Sequence, residues 1–329
     1  MIKSKLPLLS FLASAGLAPC AQGQVHTTDS LAQRLRAGPI ELYAADSGLR
    51  IVNLWRLEAA DVLGTERASH ADVLDQLTRD VYRPYPSFWQ GYLGSETTFR
   101  EWAGTALLAK DHPIHTRVQP LLELRLDSLF TDIASWLVST TGRRPRGVWY
   151  IVFGPGWTDM GGFSDGTMLA DFTKIEPIRD TIAFKLAHEL THMLHGASSG
   201  QRSDPDSGTV LQRIISEGLA SYATYAYGAG RLSAAQSVAY SDTDWTWALA
   251  HEAELIGATR PYLRSRTRAD LNRFASRSER VVAAGPPAVA YFLGFRIVQE
   301  YVAKHGPASW ADLIDLPVRD VVSRSGYGL

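Results

Sequence analysis

The sequence predicts an α+β fold, mostly helical, with a small sheet. Two patterns carry this. Apolar residues recur at helical spacing through most of the chain, and only two short segments are rich in β-branched and aromatic residues. The 329 residues, 45% apolar and 20% charged, suffice to bury a core and exclude a disordered chain.

In chain order, Ile51, Leu54, Trp55 and Val62 share a helix face, as do Val73, Leu77 and Val81. Pro84 and Pro86 interrupt the pattern, and Phe99, Trp102, Ala106 and Leu107 resume it. From Ile114 to Leu137, the residues Leu121, Leu122, Leu124, Leu129, Ile133 and Leu137 mark one long helix, bent at Pro120. The first half, about 30–141, therefore reads as helical. After Pro145 the chemistry changes. Val148 to Phe153 (VWYIVF) reads as a strand, Gly154 to Gly166 as a glycine-rich turn region, and Thr167 to Phe172 as a second short strand. Four helices are expected next: Arg179–His195, Leu211–Tyr227, Ala234–Leu255 and Ala288–Lys304. No linker divides the core region of about 145–329.

Residues 1–23 have the form of an export signal. Lys3 and Lys5 precede an apolar run from Leu6 to Ala18 that is too short to span a bilayer, and Ala21-Gln22-Gly23 offers a small-residue cleavage site. A mature chain of 24–329, periplasmic or secreted and without a transmembrane span, is the expectation. Cleavage there would remove Cys20, the only cysteine, and with it any disulfide or thiol chemistry. The alternative makes Cys20 a lipid-modified anchor. A formal charge of −1 gives no reason to expect nucleic acid as a partner. The oligomeric state is not legible.

The segment His188-Glu189-Leu190-Thr191-His192 carries the chemistry. Residues four apart lie on one helix face, so His188 and His192 can hold one Zn2+ at about 2.0–2.1 Å each. Glu189 beside them can serve as general base toward a metal-activated water. A third ligand is needed, and Glu217, in ISEGLASYATY on the next expected helix, is the best candidate. The intervening stretch is rich in Ser, Gly and Asp, as a loop should be, and Gly218 and Ala220 suit close packing against the first helix. His195 is a rival ligand. On a straight helix, however, it lies about 10.5 Å along the axis from His188, too far for one ion.

An oxyanion donor is also required, with Tyr291, Tyr222 and His251 as candidates and Tyr291 preferred. Other features read as structure. Asp111 to His115 is a surface loop, Asp159 and Asp165 belong to a turn, and the arginine-dense stretch Arg264 to Arg280 is a solvated face.

With HELTH and ISEGLASY, and late in the chain YFLGFRIVQEYV and SRSGY, the sequence resembles an uncharacterised bacterial family of predicted zinc-dependent proteases of the gluzincin type. The YxxG element, Tyr291 to Gly294, points to that smaller family. The resemblance implies a zincin-like fold, peptidase activity on protein or peptide, His188, His192 and Glu217 as ligands, and Glu189 as base. It also implies that Thr167 to Asp171 is the sheet's edge strand beside the active helix, where an extended substrate would pair. Two other readings stay open: a catalytically inactive binding protein on the same fold, and a zinc hydrolase of a non-peptide amide such as a cell-wall bond. The sequence departs from thermolysin-like enzymes, which place Asp four residues after the ligand Glu. Here that residue is Ser221, and the orienter of a ligand histidine is left unidentified.

Overall fold

The computed structural model describes residues 28–44, 48–64, 68–163, 166–197 and 204–329. The export-signal segment, Cys20 and Asp165 lie outside them. The strands are β1 (Glu41–Ala44), β2 (Leu49–Asn53), β3 (Gly147–Val152), β4 (Met160–Gly162) and β5 (Thr167–Asp171). The helices of the first half are α1 (Thr28–Ala37), α2 (Leu54–Leu63), α3 (His70–Leu77), α4 (Pro86–Tyr92), α5 (Glu96–Trp102), α6 (Ile114–Leu124) and α7 (Leu126–Thr141). Those of the second half are α8 (Arg179–Ala197), α9 (Val210–Gly228), α10 (Ala234–Ser237), α11 (Asp242–Ala250), α12 (Glu252–Thr259), α13 (Arg268–Ala275), α14 (Val289–His305) and α15 (Val318–Ser325). The fold is α+β, as expected, and no described helix is long and apolar enough to cross a membrane.

The strands form one sheet in the order β1-β2-β3-β5-β4. The pairs β2/β3 and β3/β5 are parallel, and the outer pairs β1/β2 and β4/β5 are antiparallel. Two expectations change here. The first half is not purely helical, because β1 and β2 join the same sheet as β3. Ile51 lies in β2, not on a helix face. Leu49, Ile51 and Val52 are buried in the sheet, and α2 follows directly at Leu54, so the two periods overlap in the sequence. Second, Thr167–Asp171 is not the edge. It lies between β3 and β4, and the edge on that side is the three-residue β4, which packs along α8.

The loop from β3 to β4 is held by a buried carboxylate. Asp171 accepts hydrogen bonds from the backbone N–H groups of Gly154, Gly156 and Thr173 and from the Tyr92 hydroxyl. Asp159, at the head of β4, pairs with Lys185 of α8 at 2.5 Å. Asp159 Oδ1 also accepts the Met160 N–H, and the Thr158 hydroxyl bonds the Met160 carbonyl.

Two long helices expected from periodicity are broken. α6 and α7 meet at Arg125, which is left-handed (φ 50°), so the bend falls there and not at Pro120. The segment 234–255 is three helices. Ser233 and Ser241 each accept an N–H bond from the residue three further on, starting new helices at α10 and α11, and His251 separates α11 from α12.

α9 is buried nearly all round and lies between α8 and α14. Gly218 meets Gly294 of α14, backbone to backbone. A methyl group on Gly218 would stand 2.1 Å from the Gly294 carbonyl carbon, and one on Gly294 would stand 2.0 Å from the Ile214 carbonyl oxygen. The small residue expected to face the first helix therefore faces the last long one.

Candidate metal centre

α8 buries Ile182, Leu186, Leu190 and Met193 in the core. Trp149 Nε1 of β3 donates to Met193 Sδ at 3.1 Å and ties the helix to the sheet. This leaves His188 and His192 on the open side, with side chains 16% and 23% exposed. Glu217 arrives from α9 and is almost closed to solvent.

Glu217 Oε2 lies 3.2 Å from His188 Nε2 and 3.4 Å from His192 Nε2, and the two Nε2 atoms are 3.2 Å apart. Three donors at about 2.0–2.2 Å from one tetrahedral ion would stand about 3.3–3.6 Å from each other. The triangle is within about 0.1 Å of that range, and the residue types are those zinc prefers. The three residues fit the ion. They are the one such group of three or more among the described residues.

Neighbours fix each donor. Arg213, one turn before Glu217 on α9, donates to Oε1 at 3.0 Å, so the two carboxylate oxygens divide between the arginine and the centre. Ser216 Oγ lies 3.0 Å from His192 Nδ1. With Nδ1–H donating to Ser216, Nε2 keeps its lone pair for the centre. Burial raises the Glu217 pKa, but the His192 and His188 imidazoles outweigh it and hold the carboxyl well below its ordinary value. For His192 burial acts downward, and the Glu217 carboxylate, helped by Glu189, reverses it to a net rise.

Tyr291 stands on the first turn of α14. Its ring stacks on His188 with centroids 5.9 Å apart and planes 17° apart. The Arg277 guanidinium lies over the same ring at 4.6 Å. Burial, then the Glu217 carboxylate, raise the Tyr291 pKa against the pull of Arg277, so the hydroxyl keeps its proton. Glu189 is partly exposed, and its charge reaches both His192 and Tyr291.

The structure thus brings His188, Glu189, His192, Glu217 and Tyr291 together from three helices. The remaining sequence candidates lie elsewhere. Tyr222 packs on Tyr225 and Phe295, and His251 stacks on Trp247. His195 is buried one turn beyond His192, outside the donor triangle. His112 bonds the Ile114 N–H and Thr173 Oγ1, and is buried instead of lying on a surface loop. Sequence reasoning missed Arg213, Ser216 and Arg277. The first had a signal, an arginine four residues before a helical glutamate.

No curated protein and no solved structure matches this chain. Residues 151–323, just over half of it, match the model of DUF2268, described as "Predicted Zn-dependent protease", and the chain belongs to that family.

Proposed function

We propose that this protein is a zinc peptidase that hydrolyses peptide bonds outside the cytoplasm, with His188, His192 and Glu217 as ligands and Glu189 as general base. The observation that carries the reading is the donor triangle, with edges of 3.2, 3.2 and 3.4 Å and two neighbouring side chains holding its members. Zinc bound there supplies a Lewis acid for the scissile carbonyl and acidifies water. Glu189, next to the first ligand and partly exposed, takes the proton of the attacking water and passes it to the leaving amine. Tyr291 donates its hydroxyl hydrogen to the oxygen on which charge develops. Ser216 and Arg213 keep His192 and Glu217 in place. An extended peptide would lie along β4, the strand beside α8.

Metal analysis and a peptide-library digest test this together. The purified protein should carry one zinc per chain and cleave peptides. Glu189→Gln should keep the zinc and lose at least about 100-fold in kcat. Full activity in that variant would overturn the role of Glu189, and a protein without affinity for zinc would overturn the whole reading.

A further inference from the structure

We propose that Arg277 binds a carboxylate of the substrate, so that this centre favours peptides carrying an anionic group close to the scissile bond. The inference rests on the peptidase reading and names its substrate class. Arg277 follows α13 in a stretch whose arginines look like solvated surface in the sequence. In the fold several of them are anchored. Arg266 bonds the carbonyls of Pro205 and Ser207, and Arg273 bonds the Tyr262 hydroxyl. Arg277 gives Nη1 to the Val238 and Ala239 carbonyls at 3.0 and 3.3 Å. That grip places the guanidinium over Tyr291, which itself stacks on His188.

Arg277 is exposed, and among the described residues its side chain meets two carbonyls and the Tyr291 ring but no carboxylate. Its Nε and Nη2 therefore remain available as a two-point donor for a carboxylate. The charge balance points the same way. At the centre Glu189 and Glu217 offset Arg213 and Arg277, so a bound divalent cation leaves a positive surplus that draws an anion. The reach also fits. Arg277 is separated from His188 by one aromatic ring, and each extended residue spans about 3.3–3.6 Å. A carboxylate within two or three residues of the cleaved bond meets it. The carboxylate can be a C-terminus or an acidic side chain.

Two peptide pairs separate these sources: identical sequences ending in acid or amide, and sequences with Glu or Gln at one position. Each is tested by hydrolysis with zinc-loaded protein, and by calorimetric binding to the zinc-loaded Glu189→Gln protein. The carboxylate member of at least one pair should be favoured about 10- to 100-fold in KM and in Kd. Arg277→Gln should bring that ratio to about one. Arg277→Lys should keep part of it, and Arg268→Gln, an exposed arginine of the same stretch, should keep all of it. The proposal is overturned if neither pair is discriminated. It is also overturned if Arg277→Gln slows all peptides alike in kcat with the ratio intact, the mark of a residue that only braces Tyr291. If no peptide is hydrolysed the peptidase reading fails, while the binding arm still decides the role of Arg277.

Discussion

The most informative residues are those that hold others in place. Glu217 has one oxygen for the centre and one for Arg213, so removing the arginine frees a buried carboxylate to turn. Arg213→Ala should weaken zinc binding about 10- to 100-fold, measured by competition with a chelator. A second carboxyl, outside the donor triangle, reports on pH. Glu58 of α2 is fully buried. One of its oxygens accepts the Phe153 N–H, and burial, then the nearby Asp171 and Asp61, raise its pKa well above 4.5. A raised folded pKa means that the group's contribution to stability is complete below 4.5 and is lost as pH rises through the folded value. Glu58→Gln copies the neutral acid and cannot ionise. The melting temperature of the wild type should therefore fall relative to this variant, by several degrees, between mildly acidic and alkaline pH. A constant difference would show that Glu58 is ionised in the fold. At this scale the HELTH segment was legible because its three residues sit within one helical turn, where spacing alone sets geometry. Arg277 was not, because its place depends on two carbonyls of a distant turn.

At the scale of elements, the Gly218–Gly294 contact explains why EG and YxxG occur together. Glu217 precedes one glycine and Tyr291 stands one turn before the other, so the closest approach of α9 and α14 also sets the distance from tyrosine to centre. Gly294→Ala would force the helices apart against the Ile214 carbonyl. It should cost about 3 kcal/mol in chemical denaturation and lower zinc affinity at the same time. An unchanged stability would mean that the two helices can separate freely. The long buried helices α8 and α9 were readable to within about two residues, since each carries an uninterrupted apolar pattern. β2 was not, since Leu49, Ile51, Leu54 and Trp55 mix a strand period with the helix that follows without a loop. The breaks at Ser233 and Ser241 were written in the sequence as serine caps, but the apolar run across them hid the signal.

For the whole molecule, the centre joins two layers. α8 is tied to the sheet through Met193 and Trp149, and α9 is tied to α14 through the glycine contact, so an ion shared by His188, His192 and Glu217 would clamp one layer to the other. Zinc that binds the folded chain and not the unfolded one should raise the melting temperature progressively with concentration, the unfolding free energy gaining about 2.7 kcal/mol at a hundredfold excess over Kd. His188→Ala should abolish that rise, which a thermal scan across a zinc series would read. A rise that survives in His188→Ala would place the stabilising ion elsewhere.

The head of β4 bears on how this edge of the sheet avoids sticking to another copy. In an antiparallel pair alternate residues turn away from the partner strand, and here those are Met160 and Gly162. The polar groups of Met160 are already taken by Asp159 and Thr158, next to it in the chain. What is left on the rim is a single glycine rung, enough to register one incoming amide but too little to seed a ladder between neighbours.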